Sequence, residues 1–244
     1  QAIILAAGMG RRLGEYTKDN TKCMVPVNGV RLIDRVLGQL SKLQLQRVII
    51  VIGYKGKELR EYVTSQYGQQ LTANCQLLFA ENLIYDKTNN IYSLSLVKQQ
   101  MMEDDTLLIE SELIFNDRLL DMIIDNPCPN LALVAKYETW MDGTMVRLDD
   151  DLNIVNFISK DAFDYNEVDS YYKTVNIYKL SRQFSQQKYV PFLDAYTKAV
   201  GNNEYYENVL RIISLINNHD MKALPICGEK WYEIDDKQDL DIAE

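Results

Sequence analysis

The sequence predicts a doubly wound α/β fold with a mostly parallel, mixed sheet and an inserted strand-rich region. Three observations carry that prediction. Apolar runs too short for helices open the chain at Ala2-Ile3-Ile4-Leu5-Ala6-Ala7 and recur at Arg47-Val48-Ile49-Ile50-Val51-Ile52-Gly53, as expected of strands buried on both faces. Helical patterns separate such runs through the first half, which favours parallel pairing with crossover helices. Past residue 130 the alternation gives way to closely spaced strands joined by acidic turns.

Taken in order, the first strand breaks into Gly8-Met9-Gly10-Arg11-Arg12-Leu13-Gly14 and then reaches Thr21-Lys22-Cys23-Met24-Val25-Pro26-Val27. Periodicity then predicts a helix over 32–43, a strand over 47–53, a helix over 57–66 and a strand over 75–80. A helix over 90–100 and a strand over 106–109 complete the doubly wound core. Strands over 131–137, 144–148, 154–157 and 174–178 follow, joined by the turn-rich stretches 149–151 and 161–169; they extend the sheet and build a lid or acceptor side. Helices over 182–200 and 204–217 precede a strand over 221–226, and a last strand-then-helix unit begins at Trp231. No internal repeat or low-complexity linker interrupts this order, so 1–244 reads as one domain. The first strand begins without a preceding methionine and the last helix stops without a cap, which reads as one domain of a longer polypeptide.

Composition narrows the partners. Lys and Arg number 26 against 35 Asp and Glu, a formal charge of -9, which argues against a nucleic-acid or anionic-membrane surface. The four cysteines form no C-x-x-C pair, and His219 sits alone in a polar turn, so neither a zinc site nor a disulfide framework is expected and a reducing cytoplasm is the default. No apolar stretch approaches the ~18 residues of a membrane span, and no secretory signal is visible.

Against that acidic background, the first loop gathers Arg11, Arg12, Lys18 and Lys22 around glycines that let backbone N–H groups approach an anion. Such a cluster asks for a polyanionic ligand. A dinucleotide fingerprint would need glycine where Leu13 stands, and the Gly-Lys-Ser/Thr of a P-loop is absent. What remains, L-A-A-G-x-G-x-R-L with a lysine before Val-Pro-Val about ten residues later, resembles the sugar-nucleotide and alditol-nucleotide nucleotidyltransferases.

That resemblance implies a Rossmann-like nucleotidyltransferase fold and a Mg²⁺-dependent reaction, in which hard oxygen ligands hold the metal and cations absorb charge as pyrophosphate leaves. Glu112, in Glu110-Ser111-Glu112 after a buried strand, matches the family's first metal ligand, although the family has aspartate there. Asp235, in Trp231-Tyr232-Glu233-Ile234-Asp235-Asp236, matches the second, with Asp236 as its fallback or as a helix cap. Lys22 matches the lysine that touches the phosphates, Arg12 the arginine that steadies pyrophosphate, and Lys160 a second lysine near the transferred group. Leu5, Ala6, Ala7, Gly8, Gly10 and Arg11 would cradle the nucleotide, with Glu110 and Ser111 beside them. Thr88, Asn89 and Asn90 lie where the family reads base and ribose; amides offer both a donor and an acceptor to a pyrimidine, and an ordinary asparagine helix cap is the other reading.

Across nearly the whole chain, the segments 89–94, 110–115, 173–178 and 231–236 resemble the cytidylyltransferases that activate phosphocholine or 2-aminoethylphosphonate with CTP. The implied partners are CTP and a small zwitterionic phosphonate or phosphate ester. Trp140, Asp142 and Asn176 are the acceptor-binding candidates: an aromatic face suits a quaternary ammonium, and a carboxylate suits a primary amine. The stretch 189–206 resembles phosphonate cytidylyltransferase domains, some of which are fused to a transaminase, and favours 2-aminoethylphosphonate. The alternatives are phosphocholine, a hexose 1-phosphate, or a non-catalytic nucleotide-binding domain; a nicotinamide-binding domain is disfavoured by Leu13.

Overall fold

The computed structural model describes residues 1–72 and 75–244. Strand β1 (Ala2–Ala6) runs into 3-10 turns over Arg11–Thr17 and Lys22–Met24, and a short ribbon of β2 (Pro26–Val27) and β3 (Val30–Arg31) leads to α1 (Leu32–Leu40). Then come β4 (Arg47–Ile52), α2 (Gly56–Thr72) and β5 (Gln76–Glu81). The helix expected over 90–100 is two, α3 (Asn90–Ser95) and α4 (Lys98–Glu103), broken at Val97, whose ψ of 16° leaves the helical region. Next are β6 (Thr106–Glu110), β7 (Leu113–Phe115), α5 (Arg118–Asp125), β8 (Leu131–Lys136), β9 (Met145–Leu148) and β10 (Ile154–Ile158). Strand β11 (Tyr171–Leu180) is twice the length expected; α6 (Arg182–Phe184) passes through a π-helical turn over Ser185–Tyr189 into α7 (Val190–Ala199), with Pro191 in its first turn. Helix α8 (Glu207–Ile216), β12 (Lys222–Pro225), β13 (Trp231–Glu233) and α9 (Lys237–Ala243) end the chain.

The nine-stranded sheet has a path β10-β9-β11-β6-β1-β4-β5, with β8 against β11 and β12 against β8. Its pairing is more evenly mixed than the sequence suggested. β6, β1, β4 and β5 are parallel, as is β12 with β8, whereas β11 runs antiparallel to β6, β8 and β9. Alternation along β1 divides the core in two. Ala2, Ile4 and Ala6 face a layer built with Ile33, Val36, Leu37 and Leu40 of α1, Leu59 and Val63 of α2 and Leu119, Leu120 and Ile123 of α5. Ile3 and Leu5 face the opposite layer, with Ile91 and Leu94 of α3, Met101 of α4, Leu193 of α7 and Val209, Leu210 and Ile213 of α8. The α1 residues recur at the spacing of one helical face, and each fully buried aliphatic contributes about 1.5–3 kcal/mol.

Two features position the site. The parallel strands end on one side, where β1 opens into the glycine loop and β6 into Ser111 and Glu112. A third cluster, Leu13, Val25, Val27 and Leu32 with Ile234 and Leu240, ties that loop to the C-terminal segment. Leu13, the residue that breaks the dinucleotide pattern, is therefore an anchor: it is 2% exposed.

Candidate active site

A cavity of about 760 Å³ opens at the carboxyl ends of the strands, the place where open α/β sheets hold ligands. Gly10 sits at its edge with φ 61°; a Cβ there would stand 2.9 Å from Thr17 Cγ2 and 3.0 Å from Lys22 Cβ. Only glycine permits this close approach. Thr17 Oγ1 and the Leu13 amide both donate to the Gly10 carbonyl at 2.9 Å, which folds the loop back so that Lys22 enters the cavity.

Lys22 then meets the acids. Its Nζ lies 3.0 Å from Glu112 Oε1 and 2.6 Å from Asp235 Oδ1, and Arg12 Nη2 is 3.0 Å from the same Asp235 oxygen. The two acids converge because β13 pairs antiparallel with β7, Glu233 opposite Leu113, and the Ile234 amide donates to the Glu112 carbonyl at 3.0 Å. That pairing also brings in Glu233, a residue the sequence reading passed over. Carboxylate oxygens of Glu112, Glu233 and Asp235 lie within 4.8 Å of one another.

The electrostatics are strongly coupled. Burial opposes the charge of Lys22, but Glu112 and Asp235 outweigh it and hold the ammonium well above its ordinary pKa. Burial likewise opposes ionisation of Asp235, and Lys22 and Arg12 outweigh it, so that its carboxyl lies below the usual range. Glu233 is pushed upward by burial although Lys173 works the other way. Lys173 is nearly inaccessible; its Nζ donates to the Thr174 carbonyl at 2.7 Å and stands 3.3 Å from Glu233 Oε2. Asn176 Nδ2 donates to the other Glu233 oxygen at 3.0 Å, from a left-handed residue (φ 59°) inside a register shift of β11.

Three carboxylates supply only oxygen donors, a set that suits a hard divalent cation. Their negative charge is met in this structure by Lys22, Arg12 and Lys173. The residues therefore fit a metal, with Lys22 beside it.

The remaining candidates divide. Leu5, Ala7, Gly8 and Arg11 line the cavity with Gly10, Arg12 and Lys22, whereas Ala6 lies beneath it in the core. Thr88, Asn89, Asn90, Glu110 and Ser111 form another wall. Several of their polar groups are already engaged: Asn89 Oδ1 caps α3 by accepting from the Asn90 amide at 2.8 Å, and Asn90 accepts from the Tyr206 amide while donating to Glu110 Oε1 at 3.2 Å. Ser111 Oγ donates to Glu112 Oε2 at 3.0 Å. Across the mouth, Lys160 Nζ and Asp142 Oδ2 pair at 2.9 Å, both side chains exposed.

Besides Ala6, placement corrects the acceptor role of Trp140 and decides between the two readings of Asp236. Asp236 is turned away from the acidic trio: it caps α9, accepting from the amides of Gln238 and Asp239 in a capping box with Asp239. Trp140 does not line the cavity. It stacks on Tyr232 with centroids 5.1 Å apart and stands 5.9 Å from the Trp231 ring, on the wall of a second cavity. Sequence spacing held a signal for Glu233, since it and Asp235 flank the buried Ile234 and alternation puts both acids on one side. Lys173, and Glu207, which lines the cavity from the start of α8, carry no such pattern.

Comparison with known proteins agrees with this architecture. Residues 2–90 match the MobA-like NTP transferase domain. The CMP-5'-(3-aminopropyl)phosphonate synthase of Streptomyces rubellomurinus is 26% identical over 98% of this chain, which spans 37% of that protein's length. The 2-aminoethylphosphonate cytidylyltransferase of Lancefieldella rimae is 25% identical, over 98% of this chain and 89% of its own. The solved structure of CTP:phosphocholine cytidylyltransferase from Streptococcus pneumoniae shares the fold, with a TM-score of 0.79 at 24% identity over 99% of this chain and 96% of that one. No described helix is long and apolar enough to cross a membrane.

Proposed function

We propose, from the premise that the chain is a nucleotidyltransferase, that it transfers CMP from CTP to 2-aminoethylphosphonate, forming CMP-2-aminoethylphosphonate and pyrophosphate. The observation that carries this reading is the meeting of Lys22 and Arg12 with Glu112, Glu233 and Asp235 beside the glycine loop. Two relatives named for aminoalkylphosphonate chemistry support the acceptor.

In this reading a phosphonate oxygen of the acceptor attacks the α-phosphorus of CTP, a new P–O–P bond forms, and the α–β phosphoanhydride breaks to release pyrophosphate. The phosphonate is already ionised at neutral pH, so no strong general base is needed. Glu112, Glu233 and Asp235 would hold Mg²⁺, which supplies Lewis-acid stabilisation of phosphate charge. Lys22 and Arg12 absorb the negative charge that builds on the phosphates, and the loop amides from Gly8 to Gly10 orient them. Lys160 and Asp142 pair at the mouth of the cavity, where Lys160 would stand near the transferred group and Asp142 near the acceptor. Catalysis is thus mostly positioning and electrostatics.

The test is pyrophosphate release with CTP and Mg²⁺, offering 2-aminoethylphosphonate and phosphocholine in parallel. Release with the phosphonate alone is expected. Release with phosphocholine alone would replace the acceptor, and silence with both would turn the reading towards hexose 1-phosphates or a binding role.

A further inference from the structure

We propose that Glu207 is the seat for a primary ammonium group on the acceptor, an assignment that rests on the transfer reaction above. Glu207 is the first residue of α8, is 7% exposed, and lines the cavity. Its Oε2 is buried and accepts no hydrogen bond. A buried carboxylate oxygen left without a partner costs free energy, and the cavity is the side from which a donor can arrive.

The surroundings select the kind of cation. Behind Glu207 stand Tyr178 and Tyr206, fully buried, with ring centroids 5.8 Å apart and hydroxyl oxygens that also lack partners. The tyrosines do not themselves line the cavity; the unmet acceptor on its wall is Glu207 Oε2, beside Glu204 and Asn208. A primary ammonium has three N–H donors to offer such a wall, whereas a quaternary ammonium has none and prefers aromatic faces. The stacked faces of Trp140 and Tyr232, with Trp231, belong to the second cavity; among the described residues, the aromatic side chains lining this one are Tyr85, Phe157 and Tyr205, none of them stacked as a pair. Glu207 and the Lys22 cluster border a single cavity, so a small acceptor with an anion at one end and an ammonium at the other has a complementary group for each.

The experiment compares three acceptors in the wild-type protein and in Glu207→Gln: 2-aminoethylphosphonate, ethylphosphonate and the trimethylammonium analogue. CTP affinity is measured separately by calorimetry. In the wild type, kcat/KM should favour the primary amine over ethylphosphonate by about tenfold or more, through KM, as expected for one charge-assisted hydrogen bond. In Glu207→Gln that preference should collapse to about threefold or less. A preference that survives the substitution would overturn the assignment and leave Glu207 holding only water. So would equal turnover of amine and ethylphosphonate by the wild type, a comparison that does not depend on the variant folding. A wild-type protein that fails to bind CTP would instead remove the transfer reading itself.

Discussion

Lys22 stands where three carboxylates converge, and its replacement exposes what that convergence costs. Its side chain is 11% exposed, against 17% for Glu112 and 25% for Asp235, so removing the ammonium leaves partly buried like charges facing each other. Breaking such a pair from one side typically costs about 3–5 kcal/mol. Lys22→Ala should therefore lower the melting temperature in EDTA, and added Mg²⁺ should restore part of the loss by supplying the missing positive charge. A melting curve insensitive to Mg²⁺ would speak against metal binding by these acids. Glu112→Ala and Asp235→Ala are expected to lower pyrophosphate release by about two orders of magnitude or more while the far-ultraviolet spectrum stays unchanged; wild-type rates in either would take that residue out of the mechanism. Lys22, Glu112 and Asp235, which the structure brings together, could be picked out in the sequence because each matches a motif position of the resembled family beside a strand or loop. Glu207 was not, since its neighbours Tyr206 and Asn208 read as an ordinary helix start, and only the tertiary packing of α8 against the sheet brings its carboxylate to the cavity.

At the scale of elements, the C-terminal unit shows how adjacent acids divide their work. Asp235 faces Lys22 and Arg12, whereas Asp236 accepts from two amides of α9. Asp236→Ala should cost about 1 kcal/mol of stability, the usual worth of an N-cap, with pyrophosphate release reduced far less than in Asp235→Ala. Comparable losses of turnover in the two variants would return Asp236 to the site. The longer strands β1, β4, β5 and β6, and the helices between them, were readable from sequence. The two- and three-residue strands β2, β3 and β7 were not, because a run that short has no period. The pairing of β7 with β13 is set by tertiary contact over more than a hundred residues of intervening chain. It is this pairing that assembles the acids, so the most consequential contact at the site was the least visible in the sequence.

For the whole molecule, a ligand seat that is unsatisfied without its ligand should register as a pH-dependent weakness of the fold. Burial pushes the Glu207 carboxyl up to about 7; its own backbone amide and Lys173 work in the opposite direction, and Glu233 reinforces the rise. The buried Tyr178, Tyr189 and Tyr206 also face this charge. An unfolded glutamate titrates near ~4.3. Between these two values the folded chain keeps a proton that the unfolded chain has lost, so raising the pH through this window draws stability away from the folded state, and above about 7 the loss is complete. Glu207→Gln carries no charge and escapes that loss. In ligand-free protein the variant should therefore melt above the wild type at pH 8, and the gap should narrow as the pH falls towards 5. A gap that is constant with pH would mean that Glu207 does not titrate in this window. The same substitution is expected to weaken recognition of the amine, so a residue that costs the empty fold stability at neutral pH is one that gains when a cation arrives.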